Sequence, residues 1–481
     1  MKRTAKAHPL PRTFNGRLSS MKTSALAIVA SMASFSSLAL AQTTHYDPGE
    51  LNEMLYGLSF LASGGGGGFG DGQIIIENIL DKSPSGIDIQ DASGIQSTDT
   101  LIVGAGIGSP ESLDDNLEGL IVAVNASIGI VLGQTPATSV LSVESGPANA
   151  FIAALINVEN GSPIFDGDGA GRSVPSLTNT VYSDQTVYPI APVAIAAAPT
   201  DPSMPPPATM EWDSSEVPDA AAAEDKIRDL ISTDPAYDSV AGLALWEQTG
   251  TEFAAAPFIE GTYALASAIG SIMKANDTDF FRTVADLEPL LDLRGRSILG
   301  ADLGTISSVT SQTIGGFDVG TLTADLSRDG RTVTADIKSE NENLLSTLTF
   351  TDPDSGDVTS VVVTAPTLIS FVVRDPDTNL FVPYNNGDDL SQYINQDIGI
   401  IWSLADQRLY GNATGGLLDT FRTQLATVGY TGPICPNINN LMDPWDGCIT
   451  GPSGGSSGSM DGWPSSAISL VTSLDTPLTR Q

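Results

Sequence analysis

Along the chain the apolar positions follow three successive rhythms. Behind Asp47-Pro48-Gly49-Glu50, residues Leu51, Leu55, Leu58 and Leu61 recur at helical spacing. This predicts a helix with Asp47 as N-cap, Pro48 at its first position and Glu50 closing a capping box. It stops at the five glycines Gly64–Gly68, and Asp71-Gly72 then leads into "QIIIENILD", a second helix with its own acidic cap. The glycine run therefore reads as a joint between two helices, with the amides of the second helix's first turn presented there.

The second rhythm is a short apolar strand, a turn and a helix. Leu101–Val103 opens onto the glycine-rich "GAGIGS" and a helix from about 117 to 132; Val140–Val143 opens onto Glu144-Ser145-Gly146 and a helix begun by Pro147; "SPIF" ends in Asp166 and Asp168. Strands alternating with helices predict a parallel sheet covered on both faces. Residues 196–224, rich in proline and alanine, read as an extended excursion, with helical stretches at about 221–232 and 258–274. In the third rhythm, from Arg296 to about Leu409, apolar and polar residues alternate between Asp-Gly, Pro-Asp and Ser-Gly turns, as in "GTLTADLSRDGRTVTADI". That is the signature of antiparallel strands. The fold expected is an α/β N-terminal domain (42–185), with a parallel or mixed sheet and glycine-rich strand-end loops. A largely antiparallel β C-terminal domain follows (186–430), helical first and β-rich over about 296–412.

Both ends carry separate signals. Residues 1–41 join a basic stretch to an apolar run and Ala39-Leu40-Ala41, a secretory leader with cleavage before Gln42. Met21, followed by Lys22 and the same apolar run, offers a second start. The leader is too short and serine-rich for a membrane anchor. A periplasmic or secreted location follows, and there a disulfide between Cys435 and Cys448 is the natural state of the two cysteines. They sit in a Gly/Ser-rich tail, 431–481.

Charge narrows the partners. The chain carries −36, and losing the leader removes six of its 21 basic residues and no acid, leaving −42. Such a surface repels nucleic acid and anionic membranes. A small-molecule substrate remains, and nothing in the sequence sets an oligomeric state.

In an open sheet, ligands bind beyond the carboxyl ends of the parallel strands. Ser109, Glu144, Ser145, Asn149, Asp166, Asp168 and Arg172 gather at that edge, where helix amides and an arginine suit a carboxylate or a developing anion. For Asp166 and Asp168 chemistry stands ahead of loop caps or a weak divalent-metal (calcium) site because Arg172 follows them, while Glu144 reads equally as a cap for the helix begun by Pro147. "GAGIGS" has Ser109 where a dinucleotide fingerprint needs its third glycine, and there is no Gly-Lys-Ser/Thr loop. No cofactor is evident. "TDPDSGDV" and "RDPDTN" read as hairpin turns. With His45 the one histidine after the leader, a histidine-rich zinc site is excluded and a Ser-His-Asp triad disfavoured. Carboxylates, amides and hydroxyls must carry any chemistry.

Several motifs in order carry a family resemblance. Phe60-Leu61-Ala62-Ser63-Gly64-Gly65-Gly66 matches a Phe-Leu-Gly-Ser-Gly-Gly-Gly stretch, with alanine for one glycine. Val103, Gly104, Gly106, Ile107, Gly108, Ser109 and Pro110 match a Val-Gly-x-Met-Gly-Ala/Ser-Pro turn with one residue added. Glu144, Gly146, Pro147 and Asn149 match Glu-x-Gly-Gly-x-Asn, and Asp166, Asp168, Gly171, Arg172 and Pro175 match Asp-x-Asp with Gly-Arg-x-x-Pro, although Ser176 stands where glutamate is usual. Further on lie Gly315-Gly316-Phe317 with Gly320, Asn341-Glu342-Asn343 and Pro366-Thr367-Leu368-Ile369. Over about residues 50–412 the chain resembles the S-methyl-thiohydantoin desulfurase-like family, found beside hydantoinase and oxoprolinase genes.

The resemblance implies an α/β domain followed by a β domain, and a hydrolase acting on a thiohydantoin or related cyclic amide. On that reading Asp168 or Glu144 serves as base with Asp166 beside it, and Arg172 anchors substrate. Ser63 and the Gly64, Gly65 and Gly66 amides form an anion hole, and Asn149 and Ser109 complete the pocket. The leader, the acidic surface and Ser176 suit an alternative, a non-catalytic periplasmic binding or surface protein on the same fold.

Overall fold

The computed structural model describes residues 41–109, 116–133, 135–183, 189–237, 240–255, 258–328, 331–411, 417–440 and 444–450. The leader and the Gly/Ser-rich segment after Thr450 lie outside these residues, as does Pro110 of the glycine-rich motif.

The first half runs β1 (Thr43–Tyr46), α1 (Pro48–Ala62), α2 (Phe69–Lys82), β2 (Ile87–Gln90), β3 (Thr100–Gly108), α3 (Leu117–Leu132), β4 (Ser139–Leu141), α4 (Pro147–Asn160), β5 (Ile164–Phe165) and β6 (Gly167–Asp168). The predicted capping box opens α1: Asp47 accepts from the Gly49 and Glu50 amides, and Glu50 from that of Asp47. Ser63, in the left-handed region at φ 53°, ends it. The second helix starts two residues before the expected acidic cap, because Asp71 reaches back to the Gly68 amide at 2.8 Å.

Two expectations about the sheet are corrected. In "GAGIGS" residues 104–108 continue β3 and do not form a turn. Its glycines let a helix lie close: a Cβ at Gly104 would stand 3.0 Å from Ile128 Cδ1, and one at Gly106 2.7 Å from Leu120 Cδ2, both on α3. The excursion also carries sheet structure: β7 (Val193–Ala197, fully buried) runs into its start, and β8 (Thr209–Trp212), exposed but for Trp212, pairs with β7 as an edge strand. After α5 (Ala220–Thr233), β9 (Val240–Thr249) inserts antiparallel between β3 and β7, giving the order β4-β3-β9-β7-β8. The sheet is mixed, with β3 and β4 its parallel pair, and β5 pairs instead with β2 in a small separate sheet. Such long-range pairing leaves no local mark on the sequence.

A short helix α6 (Gly250–Ala255), β10 (Ile259–Glu260), α7 (Thr262–Ala275) and α8 (Phe280–Leu293) lead to the third region. There β11 (Ile298–Ile314), β12 (Phe317–Arg328), β13 (Arg331–Glu340), β14 (Glu342–Thr351), β15 (Val358–Thr364), β16 (Leu368–Arg374), β17 (Phe381–Val382), β18 (Asp397–Ser403) and, beyond α9 (Leu417–Thr427), β19 (Ile449–Thr450) form one nine-stranded antiparallel sheet. The alternation over this region becomes strands with one face in a core of Leu322, Ile337, Leu348, Val361, Ile400 and Trp402.

The Cys435–Cys448 disulfide is formed, both residues are fully buried, and β19 follows it directly to pair with β15. The bridge thus clamps the last strand onto the sheet. For a loop of this length, replacing both cysteines by serine is expected to lower stability by about 3 kcal/mol, with thermal unfolding of the wild-type and double-variant proteins as the check.

Candidate functional site

The β3/β4 pair, the start of α4 and α5 line a cleft with a cavity volume of about 80 Å³, closed from the other side by the β13–β14 hairpin. The hairpin tip is a single left-handed residue, Asn341 at φ 56°. Its amide donates to Asp318 O, its Oδ1 accepts from the Asp318 amide, and its Nδ2 donates to Gly108 O at the end of β3. The C-terminal sheet is thereby fixed with Asn341 and Glu342 in the wall of an N-terminal-domain cleft. Ile107, Leu120, Val143, Val174, Leu177 and Leu243 supply apolar wall; Glu144, Asn149, Glu224, Arg228 and Glu342 supply polar wall.

Glu144 sits where the edge argument expects a ligand group, just past β4. Asn149 Nδ2 donates to its Oε1 at 2.8 Å and the Val174 amide to its Oε2 at 2.7 Å. Burial pushes its carboxyl up to about 7, against the pull of these two donors, and Asp168 adds to the rise. Glu342 is 2 % exposed, and burial first, Glu144 second, hold its carboxyl well above the usual range. Burial disfavours ionisation of both carboxyls, and the charge of Glu144 disfavours that of Glu342 further. At the mouth, Glu224 Oε1 accepts from Arg228 Nε at 2.7 Å, and the guanidinium lies 3.6 Å from the Phe317 ring centroid.

The other predicted residues take different places. Ser109 and Gly66 line the cleft; Asp166, Asp168, Arg172, Ser63, Gly64 and Gly65 do not. Asp168 accepts from Ser145 Oγ and from the Ala170 and Gly171 amides. Asp166 caps α7 by accepting from the Tyr263 and Ala264 amides, and burial raises its carboxyl to about 6. These are the cap geometries that stood beside the catalytic reading. Among the described residues no cluster of three or more His, Cys, Asp or Glu is arranged to hold a metal ion.

Arg172 is fully buried, and its nitrogens donate to the carbonyls of Ser173, Pro366, Thr367 and Asn343, tying the two domains together. Burial lowers it to about 10, against the attraction of Glu342. The helix amides expected to hold an anion are engaged internally. Those of Ala148 and Asn149 donate to Gly66 O, and those of Phe69 and Gly70 to the Asp388 carboxylate. Ser63 Oγ accepts from the Ile369 amide. The glycine run is a structural joint between the domains, and Gly66 and Gly67 are its contribution to the cleft. His45 is remote, exposed and paired with Asp88 at 2.7 Å.

Sequence reasoning gave no site role to Asn341, Glu342, Glu224 or Arg228. For the first two the signal was present as the Asn341-Glu342-Asn343 motif; for the pair on α5 it was an i,i+4 acid–base spacing common to any solvated helix.

A mixed α/β domain joined to a nine-stranded antiparallel sheet, with a carboxyl-lined cleft at their junction, defines a two-domain architecture with its candidate site built from both parts. Residues 49–201 match the S-Me-THD-like N-terminal domain and residues 218–386 the S-Me-THD-like C-terminal domain. The chain belongs to the S-Me-THD-like family. A crystal structure of a protein from Chromobacterium violaceum is similar, at 23% identity and TM-score 0.62, covering 82% of this chain and 99% of that one; at that identity the likeness is one of fold. No curated protein matches the chain.

Proposed function

We propose that the protein is an exported hydrolase acting on a thiohydantoin or related cyclic amide, with Glu144 as its general base and acid. One observation carries this: a carboxyl on the cleft wall, oriented by Asn149 and the Val174 amide and brought by burial to about 7. A group that titrates near neutral pH can both take and return a proton in a working cycle. Ionised Glu144 takes a proton from water as the water oxygen bonds to the ring carbon that bears sulfur, and the electron pair of the C=N bond (S-methyl ring) or C=S bond (parent ring) moves to nitrogen or sulfur. As the adduct collapses the carbon–sulfur bond breaks, the sulfur leaves with the proton from Glu144, the carbon keeps the oxygen as a carbonyl, and water's second proton passes to the ring nitrogen of the S-methyl ring or to the departing sulfide of the parent ring. Asp166, Asp168 and Arg172 support the walls rather than touch the ring.

The pH profile tests the assignment. The base form is the active one, so kcat/KM is expected to fall about tenfold per pH unit below about 7 and to level above it. A profile flat from pH 5 to 8 contradicts it.

Ser176, on the cleft wall where the family resemblance places glutamate, favours a second reading: a binding protein on the same fold. Thiol or sulfide release from a panel of S-methyl-thiohydantoins, thiohydantoins and lactams separates the two. Export rests on the leader and the formed disulfide. Protein recovered from the periplasm or medium is expected to begin at Gln42; recovery of the uncut chain from the cytoplasm alone contradicts export.

A further inference from the structure

Glu342 differs from Glu144 in having an oxygen with nothing bound to it. Its Oε2 is buried and makes no hydrogen bond within the described residues, although the residue lies on the cleft wall. Leaving a buried polar atom unpaired is unfavourable, and folded proteins leave few of them. The nearby guanidinium groups do not satisfy it. Arg172 donates to four backbone carbonyls, and Arg228 to Glu224, Gly316 O and Pro175 O.

The side chain is also held in place. A Cβ on Gly65 would stand 2.0 Å from Glu342 Oε1 and 2.5 Å from Cδ, so the carboxyl lies directly on the glycine run. The Asn341 turn before it is fixed by Asp318 and Gly108. An immobilised, unpaired carboxyl oxygen on a cleft wall is the arrangement of a group that awaits a ligand.

We infer that Glu342 is the specificity-determining residue of the cleft and binds the N–H edge of a planar cyclic amide. This rests on the proposed function and narrows its substrate class to rings with a free amide nitrogen. Burial and the neighbouring Glu144 shift the Glu342 carboxyl toward its neutral form, which offers one O–H donor and one carbonyl acceptor. A secondary cyclic amide presents N–H and C=O side by side, the complementary pair. A neutral carboxyl is a poor partner for a cation, and a ring methylated at both nitrogens keeps the planar core but loses the donor. The apolar wall of Ile107, Leu120 and Leu243 suits the faces of such a ring. A site built to pair an N–H rejects the analogue that lacks it, because the protein group is then left unpaired.

The experiment is calorimetric titration of the full-length protein with hydantoin, 1-methylhydantoin and 1,3-dimethylhydantoin, repeated on Glu342→Gln and Glu342→Met proteins with unfolding curves to confirm their fold. In the wild type, methylation of both ring nitrogens, which removes the last N–H, is expected to weaken binding about tenfold, the loss of one buried hydrogen bond. Glu342→Gln, which keeps a donor and an acceptor, retains the discrimination, and Glu342→Met binds all three alike. Equal wild-type binding of all three rings, or discrimination that survives in Glu342→Met, overturns this inference and leaves the hydrolase reading standing. No binding of any ring to the wild type also overturns this inference, and thiol release from S-methyl-thiohydantoin decides the hydrolase reading separately.

Discussion

Glu144→Gln protein is expected to fold and to lose about 10²–10⁴-fold in kcat, the range for a positioned general acid–base group, with KM changed much less. An amide cannot take a proton from water at neutral pH or return one to sulfur. The substitution also has a structural consequence that sets the control. Both Glu144 oxygens accept, from Asn149 Nδ2 and from the Val174 amide, and glutamine can accept at only one. One donor is left unpaired, at about 1–3 kcal/mol. Unfolding curves must therefore accompany the kinetics, and the activity loss is to be read on folded protein. Asp168→Asn is the informative comparison. Its oxygens are occupied by Ser145 Oγ and two amides behind the cleft wall, so the expected loss is mainly in stability. A turnover loss confined to Asp168→Asn, with Glu144→Gln fully active, would reverse the assignment.

Gly66→Ala is expected to destabilise the protein by about 3 kcal/mol, from a left-handed backbone and forced overlap together. Gly66 has φ +70°, and a Cβ there would stand 2.4 Å from Ser173 Oγ and 2.5 Å from Gly146 Cα. The Ser173 hydroxyl could rotate away, but the Gly146 contact is backbone against backbone. The same residue's carbonyl accepts from the Ala148 and Asn149 amides at the start of α4. Any shift that relieves the overlap therefore loosens the helix that positions Asn149. Thermal unfolding is the measurement, and a fall of roughly 5–10 °C is expected. Gly129→Ala serves as control: it lies within α3 with open space around it, so alanine should stabilise by up to about 1 kcal/mol. A Gly66→Ala protein as stable as wild type would contradict the close packing at the joint.

Much of this architecture was legible in the sequence where it depends on near neighbours. Asp47, Pro48 and Glu50 act within one helical turn, and the alternating residues from 296 onward need only the next strand to form a sheet. What escaped was set by distant partners. Gly104 and Gly106 look like a turn because turn glycines and packing glycines are the same residue, and only α3 lying against β3 tells them apart. β7, which runs into the Pro/Ala-rich stretch, is a strand because β9, far downstream, lies beside it. The site divides in the same way. Glu144 and Asn149 follow from the strand-end rule within one strand-and-helix unit. Asp166 and Asp168 obey the same rule, yet their oxygens turn toward amides, which residue type cannot reveal. Glu342 reaches the cleft only because a hairpin of the other domain is pinned to the end of β3.

The most direct test of the central claim is release of methanethiol from S-methyl-thiohydantoin, and of sulfide from the parent thiohydantoin, by the purified protein near pH 7.5, with and without added divalent metal. The account predicts thiol release by the wild-type protein, removed by Glu144→Gln. A folded protein that releases no thiol or sulfide from either ring would contradict it and leave a binding protein on the same fold.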